Sequence, residues 1–314
     1  MFRYRLIDTA GVFALWTLSA PHAQVFKADA ELVTIPVTVT TRGNERVSGL
    51  SAESFRVFED GIEQTVALVD EHRRAVSLCI VLDSSQSMGG WKQRQAAIAV
   101  DGVIAGLQPE DEVALVVLSA AVAVAVPWTP PRTFPAINWP KWEVGGSTPL
   151  IDALSQGLTV IETAKNPRAV LLVVSDGLEN SSQISLNRMI KTRRQSEISV
   201  YAFRTEDRRT SNEPRFPPFA PGATPPPATR GVDVLPTFVG DSGGVVYDVP
   251  IEERAVTAAQ ALFAELGSQY VIGYVPKKPL DGRYRRLKVE VSDKRWRIRH
   301  RGGYLAMPNS SSRY

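Results

Sequence analysis

The chain has one cysteine, Cys79, and three histidines, His22, His72 and His300. A single thiol excludes an internal disulfide and a cysteine-built zinc site. The histidines show no metal-ligand spacing. Cys79 lies inside an apolar run and reads as a buried, inert thiol. No stretch approaches the ~20 apolar residues of a membrane-spanning helix. The sequence also lacks a G-x-x-x-x-G-K-[ST] phosphate loop and a G-x-S-x-G nucleophile elbow. Neither sign of charge dominates: 36 Lys and Arg stand against 33 Asp and Glu, a net +3. That mildly basic balance does not by itself argue for nucleic acid. What is present is 314 residues, 44% hydrophobic and 22% charged, enough for one large or two modest domains.

The first residues, MFRYRLIDTAGVFALWTLSAPHAQ, combine Arg3 and Arg5 with an apolar stretch from Gly11 to Ala20 and small residues near a cut after Ala23. They resemble a secretory signal peptide over residues 1–23, which implies a secreted or periplasmic protein. A short buried helix or an unstructured end is the plainer alternative.

From Glu31 to Thr41 the chain alternates and is rich in Val, Ile and Thr, as strands are. Ser54–Glu59 alternates again, Asp60-Gly61 is a hairpin turn, and Ile62–Val69 pairs back. Leu78–Leu82 is a continuous apolar run closed by Asp83, the mark of a parallel strand covered on both faces. A helix follows over Lys92–Leu107, with Ala97, Val100, Val103, Ile104 and Leu107 facing inward. Strands are expected at Glu112–Leu118 and Ala121–Val126. Gly145-Gly146-Ser147-Thr148-Pro149 then introduces a second helix, with Pro149 suited to its first turn. Ala169–Val174 is another apolar strand, ending in Ser175-Asp176-Gly177. A helix at Leu186–Gln195, a strand at Ile198–Phe203, a strand at Val245–Asp248 and an amphipathic helix at Glu252–Leu266 complete the alternation. Strands and helices alternating at these lengths argue for an α/β fold with a doubly wound, mostly parallel sheet.

Strands return at Tyr270–Val275, Tyr284–Val291 and Arg295–Arg301. Neither this set nor the one before residue 72 has enough members to cover a sheet face alone. The two are therefore expected to form one small β-sandwich with the α/β part inserted between them. The expected organisation is 24–72 for the N-terminal strands, 73–267 for the α/β domain, 268–304 for the C-terminal strands and 305–314 for a tail. Residues 212–231 are proline-rich and read as a long solvated loop. Arg283, Arg285, Arg286, Lys288, Arg295, Arg297, Arg299 and Arg301 recur in the closing strands and read as a solvated strand face.

Asp83, Ser85 and Ser87 form a D-x-S-x-S turn beyond a strand. Thr148 lies in a Gly-rich loop before a helix, and Asp176 follows the next apolar strand. Singly these are ordinary caps and turn hydroxyls. A doubly wound sheet, however, gathers such loops at the carboxyl ends of its strands, where ligands bind. Carboxylates and hydroxyls are hard oxygen donors, which suit Mg²⁺, Mn²⁺ or Ca²⁺ rather than zinc or copper.

Read in order, LDSSQSMGG, GGSTPL and VVSDG resemble the von Willebrand factor type A domain and its metal-ion-dependent adhesion site. The resemblance implies a Rossmann-like fold and assigns Asp83, Ser85, Ser87, Thr148 and Asp176 to the five cation-binding positions. It also implies that the hydroxyls touch the ion, that one or both aspartates act through water, and that a carboxylate from a protein partner fills an open position. Longer matches, among them VSGLSAESFRVFEDGIEQTV, LGSQYVIGYVP and RHRGGY, resemble VWFA-related proteins of Acidobacterial type across residues 30–304. The implied function is cation-dependent protein binding outside the cytoplasm, without catalysis, nucleic acid or a transmembrane span.

Two other classes stay open. A Mg²⁺-dependent hydrolase would use the same oxygens, but no histidine stands near Ser85 or Ser87 to activate a nucleophile. A structural envelope or assembly protein would keep the fold without using metal.

Overall fold

The computed structural model describes residues 32–137, 139, 144–196, 198–206 and 232–307. The signal-like N-terminus, the proline-rich stretch 212–231 and the end of the tail lie outside the described residues. The chain begins with β1 (Val33–Thr40), β2 (Phe55–Glu59), β3 (Ile62–Gln64) and β4 (Val66–Asp70). The α/β part follows: β5 (Val76–Asp83), α1 (Trp91–Gly106), β6 (Glu112–Leu118), β7 (Val122–Thr129), α2 (Leu150–Ile161), β8 (Arg168–Ser175), β9 (Leu178–Glu179) and α3 (Leu186–Ser196). It continues with β10 (Ser199–Thr205), β11 (Val232–Asp233), α4 (Leu235–Val239), β12 (Val246–Val249) and α5 (Glu252–Leu266). The last strands are β13 (Tyr270–Tyr274), β14 (Tyr284–Val291), β15 (Arg297–His300) and β16 (Gly303–Leu305).

The central sheet has the order β12-β10-β8-β5-β6-β7. Every pair is parallel except β6 with β7 at the edge. Alternation along β5 explains its wholly apolar sequence. Leu78, Ile80 and Leu82 pack into the core beneath α1 and α5, whereas Cys79 and Val81 face the core beneath α2 and α4. Successive side chains of a strand point to opposite faces, so a strand covered on both sides needs apolar residues throughout. β8 repeats the pattern with Val170, Leu172 and Val174 against Leu171 and Val173. From β5 the chain steps one way to β6 and later the other way to β8. That reversal places a crevice outside the carboxyl end of β5.

The second body is the expected sandwich. One sheet has the order β15-β1-β13-β4 and the other β16-β14-β2-β3, so strands from both ends of the chain alternate in the first and lie two beside two in the second. Ile35, Val37, Tyr270, Ile272 and Tyr274 of the first sheet share a core with Phe55, Val57, Leu287, Val289 and Tyr304 of the second. The Phe55 and Tyr270 rings meet with centroids 5.4 Å apart.

Several expectations need correction. Ile62–Val69 is not one returning strand: it breaks at Thr65, with β3 pairing β2 and β4 crossing to the other sheet beside β13. Pro149 is the residue before α2 rather than its first turn. The inner face of α1 keeps the expected Val100 and Val103, with Ile104 and Leu107 packed against the same core, but turns Ala96 and Ala99 inward in place of Ala97. α5 lies close against this small-residue face, since a Cβ on Gly102 would stand 3.2 Å from that of Ala259. The closing basic residues are not all solvated. Arg285 and Arg301 are buried, the first paired with Asp281 at 2.6 Å and the second donating to the Thr34 carbonyl at 2.8 Å.

Candidate functional site

Asp83 is the last residue of β5, and its side chain folds back on the turn that follows. Oδ1 accepts the Ser85 backbone N–H at 2.8 Å, and Oδ2 accepts the Ser175 hydroxyl at 2.6 Å. Ser175 ends the neighbouring strand β8, and its oxygen also accepts the Gly177 N–H at 2.9 Å. The two strand ends that carry Asp83 and Asp176 are thus tied together. Within the turn, the Ser85 and Ser87 hydroxyls lie 3.1 Å apart.

The Gly-rich loop joins them through its backbone. Gly145 N–H donates to the Ser84 carbonyl at 3.0 Å, and Gln86 N–H donates to the Gly146 carbonyl at 3.3 Å. Gly146 has φ +81°, and a Cβ there would stand 2.8 Å from the Ala120 backbone. Only glycine fits that bend. Thr148 is then held from the other side: its N–H donates to the Asn180 Oδ1 at 2.8 Å, and Asn180 N–H returns to its carbonyl at 3.2 Å. Glu179 fixes the start of α2 by accepting the Ile151 N–H at 2.8 Å.

Asp83, Ser85, Thr148 and Asp176 are buried, Ser87 is half-buried, and Gln86, Gly146, Ser147 and Asn180 around them are exposed. The donors therefore lie beneath an exposed rim at the carboxyl edge of the sheet. Burial pushes the Asp83 carboxyl up to about 6. The Ser175 and Ser85 hydrogen bonds act in the opposite direction, and the neighbouring Asp176 charge pushes it further up. An anion held where solvation is poor and a second anion is near gains from a counter-charge.

This donor set fits a hard divalent cation. It offers two carboxylates and three hydroxyls, without nitrogen or sulfur. Among the described residues no group of three or more His, Cys, Asp or Glu is placed to hold a metal, so any cation here relies on the hydroxyls. All five residues expected from sequence stand on the three loops that meet at this edge.

Two participants were not anticipated. Ser175 bridges the strand ends, and its place immediately before Asp176 was the available signal. Lys92, on the first turn of α1, donates from Nζ to Asp176 Oδ2 at 2.8 Å. No local pattern announces a contact spanning 84 positions. Asn180 and Ser182 are loop-shaping residues: Ser182 donates its hydroxyl to Glu179 at 2.7 Å.

Residues 78–179 match the family described as von Willebrand factor type A domain. Among solved structures, the chain is similar to "von Willebrand factor type A from Catenulispora acidiphila" at 13% identity, covering 90% of this chain and 73% of that one with a TM-score of 0.47. It is also similar to an aerotolerance-related membrane protein from Bacteroides fragilis at 15% identity, covering 61% and 98% with a TM-score of 0.43. A third is the PilB minor pilin from Streptococcus sanguinis, at 10% identity, 63% and 62% coverage and a TM-score of 0.42. No curated protein matches the chain.

Proposed function

We propose that the chain, whose residues 78–179 match the family described as von Willebrand factor type A domain, is a divalent-cation-dependent protein-binding module that works outside the cytoplasm. The observation that carries this reading is the joining of three loops by the Asp83–Ser175, Ser84–Gly145 and Thr148–Asn180 hydrogen bonds. Asp83, Ser85, Ser87, Thr148 and Asp176 would hold Mg²⁺, Mn²⁺ or Ca²⁺. Two carboxylates, one of them already paired with Lys92, leave such an ion incompletely neutralised. An acidic side chain of a partner protein then gains a charge-assisted contact. Trp91, 47% exposed on the same first turn as Lys92, supplies an apolar contact at the rim.

The module is proposed as a binder and not an enzyme. Ser85 and Ser87 have each other and the Asp83 turn as hydrogen-bond neighbours, and among the described residues no histidine bonds to either. The export reading rests on the N-terminal sequence alone. Among the described residues no helix is long and apolar enough to cross a membrane.

The test is a pull-down from envelope extract with the full chain, in Mg²⁺ and in EDTA, alongside Asp83→Ala. A partner captured in Mg²⁺ and lost in EDTA and in the variant, with circular dichroism unchanged, supports the reading. Capture indifferent to the chelator sinks it. Calorimetric titration with Mg²⁺ and Mn²⁺ separates this reading from a metal-free assembly protein, for which no heat of binding is expected.

A further inference from the structure

Lys92 stands where a lysine is electrostatically out of place. It lies in the first turn of α1, which holds no acidic residue and has no side-chain cap. The unpaired N–H groups of a helix start carry partial positive charge and favour anions there. An ordinary lysine at such a place extends into water. This one does the reverse: its side chain is only 15% exposed, and its ammonium reaches Asp176, whose side chain is 4% exposed. The contact crosses from α1 to the residue after β8, next to Ser175, which bonds Asp83. The favourable partner that compensates the poor helix position is therefore the site's own carboxylate.

The charge balance of the site follows from these groups. Asp83 and Asp176 are close enough that the second raises the pKa of the first, and Lys92 offsets one of the two charges. A divalent ion arriving among the same oxygens meets a fixed positive charge already hydrogen-bonded to one of its five positions. Like charges in a poorly solvated site repel strongly.

We infer that Lys92 is a built-in counter-ion of the metal-free site, which competes with the divalent cation for Asp176 and sets the concentration at which the cation binds. The inference rests on the cation-site reading above and adds a specificity-determining residue to it. When the ion enters, the Lys92 ammonium gives up its exclusive hold on Asp176. When the ion leaves, the ammonium closes on the carboxylate again, so the empty domain keeps a compensated site.

The experiment compares the full chain with Lys92→Met and Lys92→Arg by calorimetric titration with Mn²⁺ and with Mg²⁺ at fixed ionic strength. Methionine keeps most of the length of the side chain and removes the charge; arginine keeps the charge. Lys92→Met is expected to bind about tenfold tighter or better, and Lys92→Arg within about threefold of the unaltered chain. Thermal unfolding in EDTA supplies a readout independent of binding: Lys92→Met melts lower than the unaltered chain, and saturating Mg²⁺ restores it. Lys92→Gln replaces the methionine variant should the latter fail to fold. Equal or weaker cation binding by the neutral variants overturns the inference and leaves the cation site standing. No binding by any of the chains overturns both.

Discussion

Glu265, on the last turn of α5, accepts a 3.0 Å hydrogen bond from the hydroxyl of Thr38 on β1, 227 positions earlier. The same Oε1 takes the Tyr201 hydroxyl at 2.7 Å, while Oε2 takes the Tyr247 hydroxyl at 3.2 Å and pairs with Arg299. One buried carboxylate thus fastens β10 and β12 of the central sheet to β1 and β15 of the sandwich. Burial raises both tyrosine hydroxyls above their ordinary range, and the Glu265 charge raises them further, so they stay donors. Glu265→Ala is expected to cost roughly 3 kcal/mol, because it strands a guanidinium and two buried hydroxyls. Urea unfolding followed by fluorescence measures it, and Glu265→Gln is expected to lose less.

Asp83→Asn separates fold from cation binding. The Asp83 carboxyl is raised to about 6 from 3.8, so its ionised form opposes folding as pH rises through that window. Asparagine removes that cost and keeps an oxygen for the Ser85 N–H. In EDTA at pH 7.5 the variant is expected to melt at or above the unaltered chain. Added Mg²⁺ raises the melting temperature of the unaltered chain only. A variant that melts well below it in EDTA contradicts this account.

Gly146→Ala tests the loop that brings Thr148 to the site. A side chain at φ +81° costs roughly 1–2 kcal/mol, and its Cβ would press on the Ala120 backbone. The loop must shift, and the Gln86–Gly146 hydrogen bond shifts with it. Cation affinity is expected to fall about tenfold by calorimetry, with helix and sheet content unchanged by circular dichroism.

His300 gives the fold a specific acid sensitivity. Its Nε2 accepts the Val289 N–H at 3.1 Å, which leaves Nδ1 to donate to the Arg301 carbonyl at 2.7 Å. A proton on Nε2 would face another donor, and burial lowers the pKa below its ordinary 6.5. The unfolded chain therefore binds the proton first, and stability falls as pH drops from 6.5 toward the folded value. Unfolding at pH 7.5, 6.5 and 5.5 is expected to show a steeper decline for the unaltered chain than for His300→Gln.

Cys79 is wholly buried, and burial pushes its thiol up to about 12. Ellman's reagent is expected to leave it unreacted in the native chain and to titrate one thiol in guanidinium. Rapid reaction in native buffer would contradict the packing of β5.

Much of this architecture was legible in the sequence because both faces of β5 and β8 are covered. A strand buried twice must be apolar along its buried length, so LCIVL and AVLLVV announced themselves, and the five oxygen-bearing residues stood just beyond their ends or in the glycine loop. What stayed hidden was set by distant contacts. Nothing near Thr65 says that Val66–Asp70 changes sheets, since alternation looks the same in either. The inner face of α1 is chosen by the approach of α5, where Gly102 and Gly106 leave room for Ala259 and Phe263; among several alanines, periodicity alone could not tell Ala96 and Ala99 from Ala97. β9, β11 and β16 have only two or three residues each, too short to carry a pattern. Buried Arg285 and Arg301 read as surface because groups that meet them, Glu59 and Asp60 for the first and the Thr34 carbonyl for the second, come from the other end of the chain.

In the β4–β13 pair Asp70 lies opposite Val271, so the chain departs from one strand and comes back in the next. The neighbours of β1 are β13 and β15, and that of β4 is β13; all follow the α/β part in the chain. During synthesis the opening strands therefore emerge with unfilled edges and stay so while the α/β part is made. Their sheets close only once β13 to β16 have arrived, which makes that waiting period the moment at which unpaired edges are exposed to other chains.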